Sequence, residues 1–100
     1  MSVVRLTVDE IESRLQELPG WQRIGDELDR TYRFPDFRAA IAFLNAVAEV
    51  AEAQDHHPDW GNCYSRVSIR LSTHDAGGIT ERDFLLAKAM VAAAADLGGK

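Results

Sequence analysis

The chain has 100 residues, 46% of them hydrophobic and 27% charged, the make-up of one ordinary globular domain rather than a disordered or fibrous chain. Sixteen acidic and 11 basic residues leave a formal net charge of −5, which argues against nucleic acid, an anionic membrane surface or a heavily phosphorylated substrate. Cys63 is the only cysteine, so neither an internal disulfide nor a cysteine-based zinc site is expected.

Met1 to Leu6 lack the apolar core of a secretory signal, and the longest apolar-rich stretch, Phe84 to Leu97, is broken by Lys88 and Asp96 and is too short to span a bilayer. The expectation is a single soluble, cytoplasmic domain over residues 1–100. Thr7 with Glu10 reads as a capping box, followed at helical spacing by Ile11, Leu15 and Leu18 until Pro19-Gly20 stops the helix. Trp21–Ile24 and Glu27–Phe34 read as a hairpin around Gly25-Asp26; in its second strand Leu28, Arg30, Tyr32 and Phe34 share one face.

Pro35-Asp36 opens a long helix capped by Asp36, with an inward stripe of Phe37, Ala40, Ile41, Leu44, Ala48 and Ala51. A second stripe, Phe43, Val47 and Val50, is either a subunit interface or simply deeply buried. Pro58 ends the helical region. Trp60–Tyr64 and Arg66–His74 form a second hairpin around Ser65, with Val67, Ile69 and Leu71 on its apolar face. After a flexible turn at Ala76-Gly77-Gly78, Thr80 caps a last helix with Phe84, Ala87, Val91 and Ala94 inward. The order α-β-β-α-β-β-α predicts an α+β fold: a four-stranded antiparallel sheet with three helices packed on its apolar face.

The three histidines fall at element boundaries, and none joins a regular apolar stripe. Hairpin pairing sets the start of the third strand, beside His56 and His57, next to the end of the fourth, at His74. Pro58 forces His57 into an extended conformation, so the two adjacent imidazoles address different atoms. Read blandly, His-His-Pro is only a polar helix stop. Glu52 lies four residues before His56 and would share its helix face, orienting the imidazole and favouring its charged form. Glu49, Glu52 and Asp55 crowd acids where the helix dipole prefers cations, a local conflict expected at a functional site; read blandly they are a solvated acidic face, the reading preferred for Glu49 and Asp55. Asp83 is either a first-turn acid of the last helix or a member of the same cleft.

Trp60 is an aromatic wall or a core anchor, and Cys63 an inert buried thiol. No nucleophile elbow surrounds Ser72 or Thr73. Three histidines and a carboxylate can hold zinc, but the adjacent pair diverges and the H-E-x-x-H spacing is absent, so no metal is expected.

Glu52-Ala-Gln-Asp-His-His-Pro58, Asp59-Trp60, Leu71-Ser-Thr-His-Asp75 and Gly78-Ile-Thr-Glu-Arg-Asp83 resemble the pterin-4a-carbinolamine dehydratases along nearly the whole chain. The resemblance implies dehydration of 4a-hydroxytetrahydropterin to quinonoid dihydropterin, recycling the pterin of aromatic amino acid hydroxylases without any cofactor. It implies catalysis by His56, His57 and His74, with Glu52, Asp83, Pro58, Trp60 and Thr73 supporting catalysis or binding substrate, in a homodimer or homotetramer. The expected division of labour has His56 and His74 acting at the hydroxyl and His57 at the pterin ring. Glu52 would orient His56, and Asp83 would hold a neighbouring imidazole or a pterin N–H. Relatives that work as a transcriptional cofactor or as assembly chaperones make a non-catalytic binding protein the alternative.

Overall fold

The computed structural model describes residues 4–100; the reading of Met1 to Leu6 therefore falls in part on residues outside that range. The first capping box forms as expected. Thr7 N–H donates to Glu10 Oε1 (3.0 Å) and Glu10 N–H donates to Thr7 Oγ1 (3.2 Å), opening α1 (Val8–Leu15). Gly20, at φ 80°, then takes the chain toward β1 (Gln22–Ile24). Trp21 precedes that strand rather than starting it. It is buried, and its indole N–H donates to the Tyr32 hydroxyl at 3.1 Å.

The turn at Gly25-Asp26 leads into β2 (Glu27–Arg33). Leu28, Tyr32 and Phe34 are buried as the period-two pattern predicts. Arg30 joins their face by laying its guanidinium 4.0 Å from the centre of the Tyr32 ring.

Asp36 caps α2 (Phe37–Gln54), accepting a hydrogen bond from Ala39 N–H at 2.8 Å. The helix is rotated from the expected orientation. Its buried residues are Ala40, Phe43, Val47 and Ala51, whereas Phe37 is 47% exposed and Ile41, Leu44 and Ala48 are half-buried. Phe43 sets the rotation, packing its ring 5.0 Å from Phe34 and 5.5 Å from Tyr32, centroid to centroid. Phe43 and Val47 are therefore core rather than interface.

β3 (Asp59–Cys63) and β4 (Arg66–Leu71) close the sheet in the order β1-β2-β4-β3, antiparallel throughout. β2 and β3 thus run in the same direction on either side of β4, and α2 crosses over β4 to connect them. The Tyr64-Ser65 turn holds Tyr64 at φ 50°, steadied by the Asn62 side-chain amide donating to the carbonyls of Tyr64 and Arg66. Cys63, expected as a buried thiol, is exposed, because β3 is an edge strand and the residue lies on its solvent-facing side.

β4 also ends earlier than expected. After Leu71, Thr73 makes an isolated bridge with Gly78, and His74–Ala76 form a single 3-10 turn. That turn is closed by Gly77, at φ 73°, donating to the His74 carbonyl. Thr80 then caps α3 (Glu81–Asp96), which buries Phe84, Leu86, Ala87, Met90 and Ala94 and leaves Val91 half-buried. The core lies between the apolar sheet face (Leu28, Tyr32, Val67, Ile69, Leu71) and the helices. No helix among the described residues is long and apolar enough to cross a membrane.

Candidate active site

The site is built at the C-terminal end of α2. Asp55 adopts a left-handed conformation (φ 50°, ψ 45°), and two hydrogen bonds close the helix end: Asp55 N–H to Glu52 O (3.2 Å) and His56 N–H to Ala51 O (3.0 Å). Glycine is usual at such a position, and aspartate is one of the few other residues that tolerate it. The reversal takes His56 off the helical path, so four-residue spacing no longer applies. Glu52 consequently meets His57 rather than His56: His57 Nε2 lies 2.8 Å from Glu52 Oε1, on the surface. The expectation that Glu52 orients His56 is thereby corrected.

His56 turns inward instead, and its Nε2 lies 2.6 Å from Asp83 Oδ1. Asp83 is fully buried: it is the first-turn acid of α3 and lies behind the cleft rather than in its wall, reaching it only through His56. As the third residue of α3 it completes a capping box, accepting from Thr80 N–H at 2.9 Å. Oδ2 also accepts from the Thr73 hydroxyl at 2.9 Å, and the hydroxyls of Thr73 and Thr80 are 2.7 Å apart. With the Thr73 proton directed at Asp83, Thr80 must donate to Thr73, while Thr80 Oγ1 itself accepts from Arg82 N–H at 3.2 Å. Every hydrogen in this chain points toward the carboxylate. An ionised aspartate only accepts, so His56 Nε2 must carry a hydrogen, and its Nδ1 is left for other work.

Arg82, which the sequence reading missed, grips the same helix end from α3. Its Nη2 donates to the carbonyls of Asp55 (2.6 Å) and Gln54 (3.3 Å). A basic group thereby supplies from outside what the acidic last turn of α2 lacks. The signal available in the sequence was indirect: a helix end crowded with acids needs a cation from another element.

Hairpin pairing brings the third histidine in. Asp59 faces Arg70 across β3 and β4, and beyond that pair His57 and His74 line one hollow of about 450 Å³ together with Pro58 and Ser72. A contiguous hollow of about 230 Å³ shares His57, Ser72 and His74 and adds His56, Thr73 and Arg82. All three histidines therefore border one open cleft. His74 is exposed, and its side chain has no hydrogen-bond or ion-pair partner among the described residues.

Trp60 borders neither of these hollows. It stands in register with buried Ile69, packs partly against the core and lines the adjoining hollow on the sheet face. Among the described residues, no three His, Cys, Asp or Glu side chains form a metal-ligating group.

The family model for pterin 4 alpha carbinolamine dehydratase matches residues 4–93. A relative from Thermomicrobium roseum carrying that dehydratase name is 57% identical over 86 residues, covering 86% of this chain and 92% of the relative. Another so named, from Nitrobacter winogradskyi, is 48% identical over 97% of this chain and 98% of its own. The crystal structure of a transcriptional coactivator/pterin dehydratase from Brucella melitensis superposes with a TM-score of 0.88 at 41% identity, covering 90% of this chain and 98% of that one. A pterin dehydratase-like protein identified as a RuBisCO assembly factor in the alpha-carboxysome gives a TM-score of 0.61 at 25% identity, over 74% of this chain and 86% of its own. By sequence and by fold, the chain belongs to the pterin-4-alpha-carbinolamine dehydratase family.

Proposed function

We propose that this protein dehydrates 4a-hydroxytetrahydropterin to quinonoid dihydropterin and water. The observation that carries the reading is the convergence of three imidazoles on one open cleft, two of them already paired to carboxylates through Nε2. The substrate is a hemiaminal, with a hydroxyl on C4a next to N5–H. A proton delivered to the hydroxyl lets the C4a–O bond break with its electrons leaving in water. The N5 lone pair then forms the C4a=N5 bond, and the N5 proton passes to a base. One proton is given and one is taken, so histidine, titrating near neutrality, suits both steps.

His74, whose side chain has no partner among the described residues, and His56, through the Nδ1 that no described residue engages, act at the hydroxyl. His57, held by Glu52, takes the ring proton or binds the ring. Asp83 fixes the tautomer of His56 and Arg82 fixes the backbone from which it leaves; both are positioning residues.

Stopped-flow dehydration of the 4a-hydroxy substrate tests this. His56→Ala and His74→Ala are each expected to slow turnover about 100-fold or more. Unaltered turnover in both would sink the assignment, and stoichiometric zinc in the purified protein would overturn a metal-free mechanism.

One structural relative is named as a transcriptional coactivator as well as a dehydratase and the other as a RuBisCO assembly factor, and those roles belong to those proteins. Carboxylate-paired imidazoles suit proton transfer, and their presence here favours catalysis. A chain that binds no pterin and dehydrates none would reverse that preference.

A further inference from the structure

The His74 side chain has no partner among the described residues, so its direction is set by the backbone that carries it. That backbone is a loop closed on itself. Thr73 and Gly78 exchange hydrogen bonds across its base, Thr73 N–H to Gly78 O at 2.8 Å and Gly78 N–H to Thr73 O at 3.3 Å, and Ala76 N–H donates to Thr73 O at 3.1 Å. The incoming arm is tied down through the Thr73 hydroxyl, which donates to buried Asp83. The outgoing arm, residues 77–79, is tied down by a different part of the chain. Leu6 N–H donates to Ile79 O at 2.9 Å, and Arg5 Nη1 donates to Gly77 O at 3.3 Å, beside the turn itself.

Gly78 shows how closely Arg5 is applied to this arm. It is buried, and a Cβ built on it would stand 2.5 Å from Arg5 Cδ and 3.1 Å from Arg5 Cγ. Its φ lies outside the left-handed region, unlike that of Gly77, so space rather than conformation calls for glycine. The methylene stem of Arg5 fills the place a side chain would take, and the guanidinium reaches past it to the carbonyl. Among the described residues, Gly77 O is the one polar partner of that guanidinium, which makes no ion pair there. Arg82 serves the other wall in the same way, gripping the carbonyls of Gln54 and Asp55 behind His56. A planar fork that keeps its charge at any working pH suits both tasks.

We propose that Arg5, seated on Gly78, is a positioning residue for His74: it fixes the outgoing arm of the loop and thereby the direction from which the imidazole meets the cleft. The proposal rests on the reading of His74 as an acid–base group of a dehydratase. A displacement of about 1 Å at a reacting group can cost about 100-fold in rate, so a clasp outside the cleft can govern turnover without touching substrate.

The full chain is compared with Arg5→Ala, Gly78→Ala, the double variant and Arg5→Lys by stopped-flow dehydration, NMR of the histidine rings, amide exchange and urea unfolding. Arg5→Ala is expected to lower kcat about tenfold with KM held within about twofold, because His74 works on the transition state rather than on binding. Gly78→Ala pushes the stem away and should do the same. The double variant should be no slower than the slower single one, since removing the stem makes room for the added methyl and one contact cannot be lost twice. Arg5→Lys, which keeps the stem and a donor, should recover most of the rate. In Arg5→Ala the ring signals of His74 should shift or broaden while those of His56 stay in place, and the Ala76 and Gly77 amides should exchange about tenfold faster.

Single losses that multiply in the double variant, or a lower urea midpoint with kcat and the His74 ring signals unchanged, overturn the clasp and leave Arg5 a packing residue. Normal turnover of the parent then keeps the dehydratase reading. If the parent dehydrates nothing, that reading falls by itself: a His74 shift in Arg5→Ala still upholds the clasp, and its absence brings down both.

Discussion

Two imidazole–carboxylate pairs stand side by side in this chain, nearly equal in length and opposite in surroundings. His56 and Asp83 are 2.6 Å apart with side chains 8% and 0% exposed; His57 and Glu52 are 2.8 Å apart with side chains 59% and 76% exposed. Distance alone would rank them equal. In the buried pair, each group lost to solvent is replaced by a protein partner, so removing one member strands the others. In the exposed pair, water substitutes for whichever partner is removed, and salt screens what remains. The first pair is therefore part of the fold, whereas the second is an adjustable fixture on its surface.

The strongest way to break the contrast is Asp83→Asn. The amide cannot accept from His56, Thr73 and Thr80 at once, so a stability loss of about 1–3 kcal/mol is expected in urea unfolding, together with most of the dehydratase rate. A change of less than about 0.5 kcal/mol would mean the buried network contributes nothing beyond solvation.

Next comes Arg82→Met, which frees the carbonyls of Gln54 and Asp55. The expected loss is about 1 kcal/mol, with a fall in kcat and a shift in its pH profile as His56 loses its fixed point of departure. Arg82→Lys, keeping the charge, should restore part of that profile; a purely structural role would move stability and leave the profile alone.

Glu52→Gln should be gentler. Stability should stay within about 0.5 kcal/mol of the parent and the rate should drop less than about tenfold, by an amount that shrinks as salt is raised. A salt-independent loss as large as that of Asp83→Asn would erase the distinction between the pairs.

The smallest effect belongs to another exposed carboxylate. The Thr7 N–H bond, then the Thr7 hydroxyl, and more weakly Arg14, hold Glu10 below the ordinary glutamate value, against a small opposing effect of burial. A depressed folded-state value means that this capping box stabilises above the unfolded glutamate pKa and loses its contribution as pH falls through the lower folded value. Glu10→Gln should therefore flatten the acid side of the stability curve, with a small cost at neutral pH that vanishes at acid pH.

The fold was legible because each element announces itself: a capping box at Thr7, caps at Asp36 and Thr80, and alternation in Val67, Ile69 and Leu71. What escaped was rotation and partnership. Stripe counting placed Phe37 inward and left Phe43 ambiguous, because a wide apolar helix has no unique inward face until an aromatic cluster selects one. The carboxylate partners were exchanged for a similar reason. Spacing on a helix holds only while the helix lasts, and the left-handed Asp55 ends it one residue before His56. The convergence of His57 and His74 was legible because antiparallel pairing is a rule of register that needs no side-chain detail.

Strand order also makes the cleft mechanically lopsided. β4 is an inner strand, with Leu71 facing Leu28 of β2 on one side and Arg70 facing Asp59 of β3 on the other, so the chain leading to His74 is held along both edges. β3, reached from His57, is bonded along one edge only among the described residues. Backbone amides of β4 should resist exchange with solvent longer than those of β3. The cleft has one stiff wall and one compliant wall, and when it breathes it does so on the His57 side.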